Sequence, residues 1–249
     1  DMKQELSDIY IFEKNLKKFN TTGYMLQCYY KLYSNTAYEN CIRYSVGFHG
    51  YMDNLIGIHA NIQSNVVSYA TFDDNQTCSF NKQYYPGLTN QDHVKNDCNF
   101  DKNMIISSPN KSGKTTILKS TALNIIFSQQ IGCGFYKSAT LTPFTHIHSY
   151  LNIPDTSGRD SLFQAESRRC KEIIDTIVQY SDSNYRHFCL FDELYSGTNP
   201  TEAAKAGYAF LEYLHQHPNV RFILTTHYLS ICKKFKKSND IQNYKMVVN

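Results

Sequence analysis

"SSPNKSGKTTILK", residues 107–119, is the stretch whose reading decides the fold. A phosphate-cradling loop carries the pattern G-x-x-x-x-G-K-[ST]: backbone N–H groups surround the phosphates, the lysine reaches the outer phosphate oxygens and the hydroxyl holds Mg²⁺. Ser108 stands where the first glycine belongs, and Gly113, Lys114 and Thr115 supply the rest. With one residue missing from the pattern, the flanking sequence has to decide. Met104, Ile105 and Ile106 form a short apolar run, as expected of a strand buried on both faces. Ile117, Leu118, Thr121, Ala122, Ile125 and Ile126 recur at helical spacing and predict a helix with one stripe facing a core. Strand, loop, helix is the order that aims the loop's N–H groups and the positive end of a helix dipole at an anion. The plainer alternative is a Lys-Thr pair at an ordinary helix start.

A second apolar run, Phe188-Cys189-Leu190-Phe191, ends in Asp192-Glu193. Successive side chains on a strand point to opposite sides, so the two carboxylates can do different work. Asp192 suits Mg²⁺, and Glu193 suits orienting and deprotonating a water. An acidic pair in this position equally opens a solvated helix. Beyond it, Gly197 permits a tight turn, Asn199 is a good N-cap, Pro200 suits the first helical position and Glu202 falls where a capping-box carboxylate belongs. A helix from Pro200 to about His215 follows, with Ala203, Ala206, Phe210 and Leu214 on one face. A third run, Val220 and Phe222 to Leu224, ends in Thr225-Thr226-His227, which would bring a histidine beside the two carboxylates. Alone, such a histidine is more often a satisfied hydrogen-bonding residue. Between the loop and the acidic strand, Ser161 and Gln164 read as a capping box opening a helix that carries Ile173, Ile174, Ile177 and Val178. That helix is either an ordinary capped one or presents its N–H groups, with Ser161 at the tip, to an anion on a partner subunit; spacing leaves both open.

The 249 residues suit one large domain, or a domain with an appendage, and 41% of them are hydrophobic, enough for a substantial core. No apolar run approaches the roughly 20 residues of a membrane span. A net charge of +3 is too mild to argue for nucleic-acid binding by electrostatics alone. The basic cluster Lys233, Lys234, Lys236 and Lys237 reads as a solvated face. Eight cysteines lie singly, without a C-x-x-C pair. With no signal peptide, reduced thiols in an intracellular protein, cytoplasmic or nuclear, are expected. The pairs His146 with His148 and His215 with His217 lack further ligands at metal-binding spacing. Residues 1–65 have few glycines and no proline and read as about three helices. Around 69–99 the texture turns to short strands and turns, with "YYPGL" at 84–88, and the remainder alternates strands with long helices, the arrangement of a mostly parallel sheet.

Together these stretches resemble the ATPase region of the MutS family of DNA mismatch-repair proteins, a branch of the ABC-type P-loop NTPases. The loop is similar to TGPNMGGKST, "DSLFQAE" to S-T-F-x-x-E, "LFDELYSGTNP" to DELGRGTS, and "LTTHYLSI" to TTHYHEL, in the family's order. "NYKMVV" at 244–249 resembles the strand that follows, and "MDNLIGIHA" at 52–60 the end of a helical lever. The resemblance implies an α/β fold with a mostly parallel sheet flanked by helices. It divides the chain into a helical lever or connector over 1–68 and an ATPase domain over 69–249 that stops short of the family's C-terminal helix-turn-helix. ATP or ADP and Mg²⁺ are the implied cofactors. Carried over residue by residue, the loop Ser108, Pro109, Asn110, Lys111, Ser112, Gly113, Lys114, Thr115 and Thr116 would hold the nucleotide, and Thr115 and Asp192 the metal. Glu193 would act on water, His227 would sense the γ-phosphate and Ser161 would reach the other subunit's nucleotide. His93 would stack on the base with Val94 beside it.

The implied partners are DNA, bound through regions mostly outside this chain, and a second MutS-like subunit in a homo- or heterodimer; no membrane is implied. Ser108 and Ser112 depart from two loop glycines, Leu162 from the signature threonine, and Tyr195-Ser196 from Gly-Arg. The first departure costs conformational freedom only if that position needs a positive φ. Phosphate binding is therefore expected, with the hydrolysis rate open. Two other classes compete. An SMC- or transporter-like ABC ATPase would need an L-S-G-G-type signature, which the chain does not show. A nucleotide-binding structural protein would bind ATP without turning it over.

Overall fold

Each apolar run that ends in a candidate site residue is a strand of one parallel sheet. In the computed structural model, which describes residues 18–88, 93–107, 109, 112–151, 153 and 161–246, the chain divides into two units, Asp1–Gln63 and Ser64–Asn249. The first holds helices α1 (Lys18–Ser34) and α2 (Thr36–Gln63). Asn35 separates them, its side-chain oxygen accepting from the Ala37 N–H at 3.0 Å, the behaviour of a helix-starting residue. Three helices were expected over 1–65, where two are described and residues 1–17 fall outside the described part.

In the second unit a mixed sheet comes first, built from β1 (Ser68–Phe72), β2 (Cys78–Gln83), β3 (Asn96–Asn99), β5 (Cys133–Gly134) and β6 (Ser138–Leu141) in the order β3-β2-β6-β1-β5. The all-parallel sheet holds β4 (Asn103–Ser107), β7 (His146–Tyr150), β8 (His187–Asp192), β9 (Val220–Thr226) and β10 (Ile241–Lys245) in the order β10-β4-β9-β8-β7. Its helices are α3 (Lys114–Ile131), α4 (Leu162–Gln179), α5 (Pro200–Leu214) and the short α6 (Leu229–Lys234).

Two cores follow from period-two alternation along these strands. Met104, Ile106, Phe188, Leu190 and Ile223 face one way, onto Ile117, Leu118 and Ile125 of α3 and Phe80 and Ala139 of the mixed sheet. Ile105, Cys189, Phe191, Phe222 and Leu224 face the other, onto Ile173 and Ile177 of α4 and Phe210, Leu211 and Leu214 of α5. A sheet covered on both sides needs continuous apolar runs, as these strands have.

The buried face of α3 is turned from the expected stripe. Ala122 and Ile126 are only half-buried, whereas Asn124 and Ser128 are buried. The reason is polar: the Asn124 side chain accepts from the Phe135 N–H at 2.8 Å, and Ser128 bonds the Asn124 carbonyl and the Tyr136 hydroxyl, tying the helix to the mixed sheet. On α4, Val178 is half-exposed, and the buried line runs through Glu166, Cys170, Ile173 and Ile177. Asn199 caps α5 through the N–H groups of Thr201 and Glu202, with Pro200 in the first turn. Glu202 is bonded by the Thr198 hydroxyl at 3.1 Å. Among the described residues, no helix is long and apolar enough to cross a membrane.

Candidate active site

Because all five strands of the second sheet run the same way, their C-terminal ends share one edge, where open α/β sheets collect their ligands. β4, β9 and β8 are immediate neighbours, with Ser107 paired to Thr226 and Asp192 to Thr225. The loop after β4, the histidine after β9 and the acidic pair ending β8 are therefore adjacent by topology.

The side chains complete that convergence. Lys114, only 6% exposed at the first turn of α3, donates from Nζ to Glu193 Oε1 at 2.7 Å. Thr115 Oγ1 donates to Asp192 Oδ2 at 2.8 Å, and Thr225 Oγ1 donates to Asp192 Oδ1 at 2.5 Å. His227 Nδ1 lies 3.3 Å from the same Glu193 oxygen that Lys114 holds. Partial burial alone would raise the Glu193 carboxyl above the usual glutamate range, but Lys114 and then His227 outweigh it and hold the group below that range. Glu193 is thus a carboxylate at neutral pH. Its backbone is left-handed, φ 50°, and its N–H donates to the Thr225 carbonyl at 3.0 Å, which turns the chain out of β8.

The loop itself is described in part. Ser108, Asn110 and Lys111 lie outside the described residues. Pro109 is exposed, and its carbonyl accepts from the Ser112 hydroxyl at 2.8 Å. Gly113 precedes α3 with φ 90°, a conformation that L side chains rarely adopt, which is the physical need for glycine there. Thr116 follows Thr115 on the exposed side of the first turn.

Thr115 and Asp192 present hard oxygen donors side by side, the chemistry that Mg²⁺ selects, and the residues present fit that ion. The basic first turn of α3, with its N–H groups and Lys114, suits phosphate.

His93, Val94 and Ser161 come from other segments of the chain. The His93 ring stacks on Tyr84 with centroids 4.2 Å apart, so one of its faces is already covered, and Val94 is open to solvent. Ser161 caps α4: its Oγ accepts from the Gln164 N–H at 3.3 Å and its N–H donates to Gln164 Oε1 at 2.9 Å, the full capping box. As a hydroxyl also carries a donor hydrogen, that cap uses only an acceptor site of Ser161.

Residue patterns did not single out Thr225, which pins Asp192, and they include Glu166, which binds the loop after β8, only as the closing letter of "DSLFQAE", without a role. Glu166 had a signal. It falls at one end of the line Glu166, Cys170, Ile173, Ile177, spaced four, three and four residues along one helical face, where a carboxylate needs partners.

The fold and its edge of converging groups define an α/β domain of the P-loop NTPase type, with a parallel sheet and the phosphate-type loop between its β4 strand and α3. The chain belongs to the MutS domain V family, whose model matches residues 104–249. It is 29% identical over 157 residues to the DNA mismatch repair protein MutS of Listeria monocytogenes serotype 4a, a match covering 61% of this chain and 18% of that protein. Against the proteins of the same name from Parabacteroides distasonis and Orientia tsutsugamushi, identity is 30% over 164 residues and 26% over 160. Those matches cover 63% of this chain and 18% and 17% of the relatives. The chain thus corresponds to under a fifth of the length of these relatives. The family match begins within β4, so His93 and Val94 precede it.

Proposed function

We propose that this chain is the ATP-binding and ATP-hydrolysing motor of a MutS-like mismatch repair protein, working as a dimer whose nucleotide state switches DNA binding. The observation that carries the reading is the meeting of Lys114 with Glu193 and His227, and of Thr115 with Asp192, drawn from the ends of two neighbouring strands and one helix start.

Lys114 binds phosphate oxygens by giving up Glu193, an exchange of one anion for a more highly charged one. Released from the lysine, Glu193 orients a water and takes its proton on a carboxylate oxygen, a role its ionised form permits. His227, half-exposed beside it, contacts the outermost phosphate or the same water. Thr115 and Asp192 would hold Mg²⁺, which when bound neutralises phosphate charge. Ser161, at the tip of α4, supplies its hydroxyl hydrogen, beside the first-turn N–H groups of that helix, to the partner's nucleotide.

Two substitutions test the reading. Lys114→Ala is expected to lose binding of a fluorescent ATP analogue. Glu193→Gln is expected to bind it at least as tightly as the parent, because the lysine loses its resting partner, while turnover drops by about 10²-fold or more. Unchanged turnover in a Glu193→Gln protein that still binds ATP removes Glu193 from its role. ATP bound but never hydrolysed by the parent protein favours the structural-protein alternative.

A further inference from the structure

The loop that follows Glu193 is bolted to the helix that carries Ser161. Glu166 is 2% exposed on α4, and its Oε1 accepts from both the N–H and the hydroxyl of Ser196, each at 2.9 Å. Its Oε2 accepts from the Gly197 N–H at 3.1 Å. Hydrogen bonds to a carboxylate are roughly twice as strong as neutral ones, and a buried carboxylate keeps them because the alternative is an unpaired charge. A second contact acts one turn earlier on the same helix. A methyl group placed on Gly197 would lie 2.8 Å from the Phe163 backbone nitrogen and 2.8 Å from Leu162 Cγ, so loop and helix start touch without room for a side chain. A third contact closes the loop's near end. Tyr150 at the tip of β7 accepts from the Tyr195 N–H at 3.2 Å. Leu162 and Phe163 directly follow Ser161, and Ser196 and Gly197 lie three and four residues beyond Glu193.

We infer that Glu166 is a positioning residue that makes the Ser161 tip of α4 and the Glu193–Gly197 loop one rigid piece, so that the group acting on the chain's own nucleotide and the group offered to the partner's nucleotide move together. The consequence for catalysis rests on the function proposed above; the mechanical coupling does not. Glu166→Gln keeps the volume but replaces one acceptor oxygen with an NH₂ group, which would face the Gly197 N–H, donor against donor.

Hydrogen exchange and steady-state kinetics on the full chain separate the two claims. Without nucleotide, Glu166→Gln is expected to speed amide exchange at least tenfold in both segments, Leu194–Thr198 and Ser161–Phe163. A rise in the first segment alone, or in neither, overturns the coupling. In kinetics, kcat should fall at least tenfold while the KM for ATP stays within twofold and the melting temperature stays close to the parent's. A parallel loss of melting temperature, binding and turnover marks Glu166 as merely structural, and an unchanged kcat in a parent that hydrolyses ATP also overturns the positioning role. A parent without turnover sinks the proposed function and leaves the exchange result to decide the coupling. Should Glu166→Gln fail to fold, Ser196→Ala, which removes one of the three bonds, is expected to shift exchange and kcat in the same directions by smaller factors, and no shift in either overturns the inference.

Discussion

Tyr195 stands where the resembling family run carries a glycine, and its φ is 59°. A left-handed conformation costs an L residue about 1–2 kcal/mol, and it persists only where the surroundings over-determine it. Here they do. The Tyr195 N–H is held by Tyr150, the next N–H by Glu166, and the ring is buried against Phe163, centroids 5.6 Å apart. Burial pushes the Tyr195 phenol up, so the ring stays neutral beside Cys170. Tyr195→Gly would relieve the backbone but forfeit a buried aromatic ring worth about 3–5 kcal/mol, so urea unfolding should show a net loss of about 2 kcal/mol. A more stable variant would mean that strain outweighs packing at this position.

At the scale of elements, β7 and β8 are joined by their histidines as well as by their ladder. His187 Nε2 faces the Tyr180 carbonyl at 2.8 Å and must donate there, which leaves Nδ1 to accept from His148 Nε2 at 3.0 Å. Neutral rings are required for this chain of donors. Burial, then the neighbouring histidines, pushes His148 down to about 4, and burial lowers His187 as well. Both groups bind protons more readily when unfolded. Their neutral-state stability is intact above the ordinary histidine value of 6.5 and is lost as pH falls from there towards about 4. Denaturation midpoints should therefore drop between pH 7 and pH 5, and His148→Phe should flatten that slope. A slope as steep in the variant would assign the effect to other groups.

On the scale of the whole molecule, both cores and the residues of the Lys114 cluster belong to the unit from Ser64 onward. Helix α2 contains no buried residue, although Tyr44, Phe48, Tyr51 and Ile56 lie along it. Isolated helices draw little stability from propensity alone, and the second unit holds both cores within its own residues. Residues 64–249 expressed alone should keep a cooperative melt and the ATP-analogue affinity of the whole chain. Loss of either would show that the first unit holds the nucleotide domain together.

How much of this is legible in the sequence depends on how local the cause is. Met104–Ile106, Phe188–Phe191 and Phe222–Leu224 announce buried parallel strands because such strands have no polar face to display, and the Ser161 and Asn199 caps are set within four residues of themselves. Of the stripe expected on α3, Ile117, Leu118, Thr121 and Ile125 are buried, but the buried side also includes Asn124 and Ser128, whose partners, Phe135 and Tyr136, meet them only through the turn into the mixed sheet.

Strand and helix identities, the caps and the types of reacting group were written in short-range patterns, since period and capping chemistry act over a few residues. Strand order was not, and it alone sets β4 beside β9 and β9 beside β8, bringing Lys114 within 2.7 Å of a carboxylate 79 positions away. The grip of Glu166 on Ser196 and Gly197, 30 and 31 residues on, was decided the same way. A contact between distant segments depends on how sheets and helices stack, which no local rule contains.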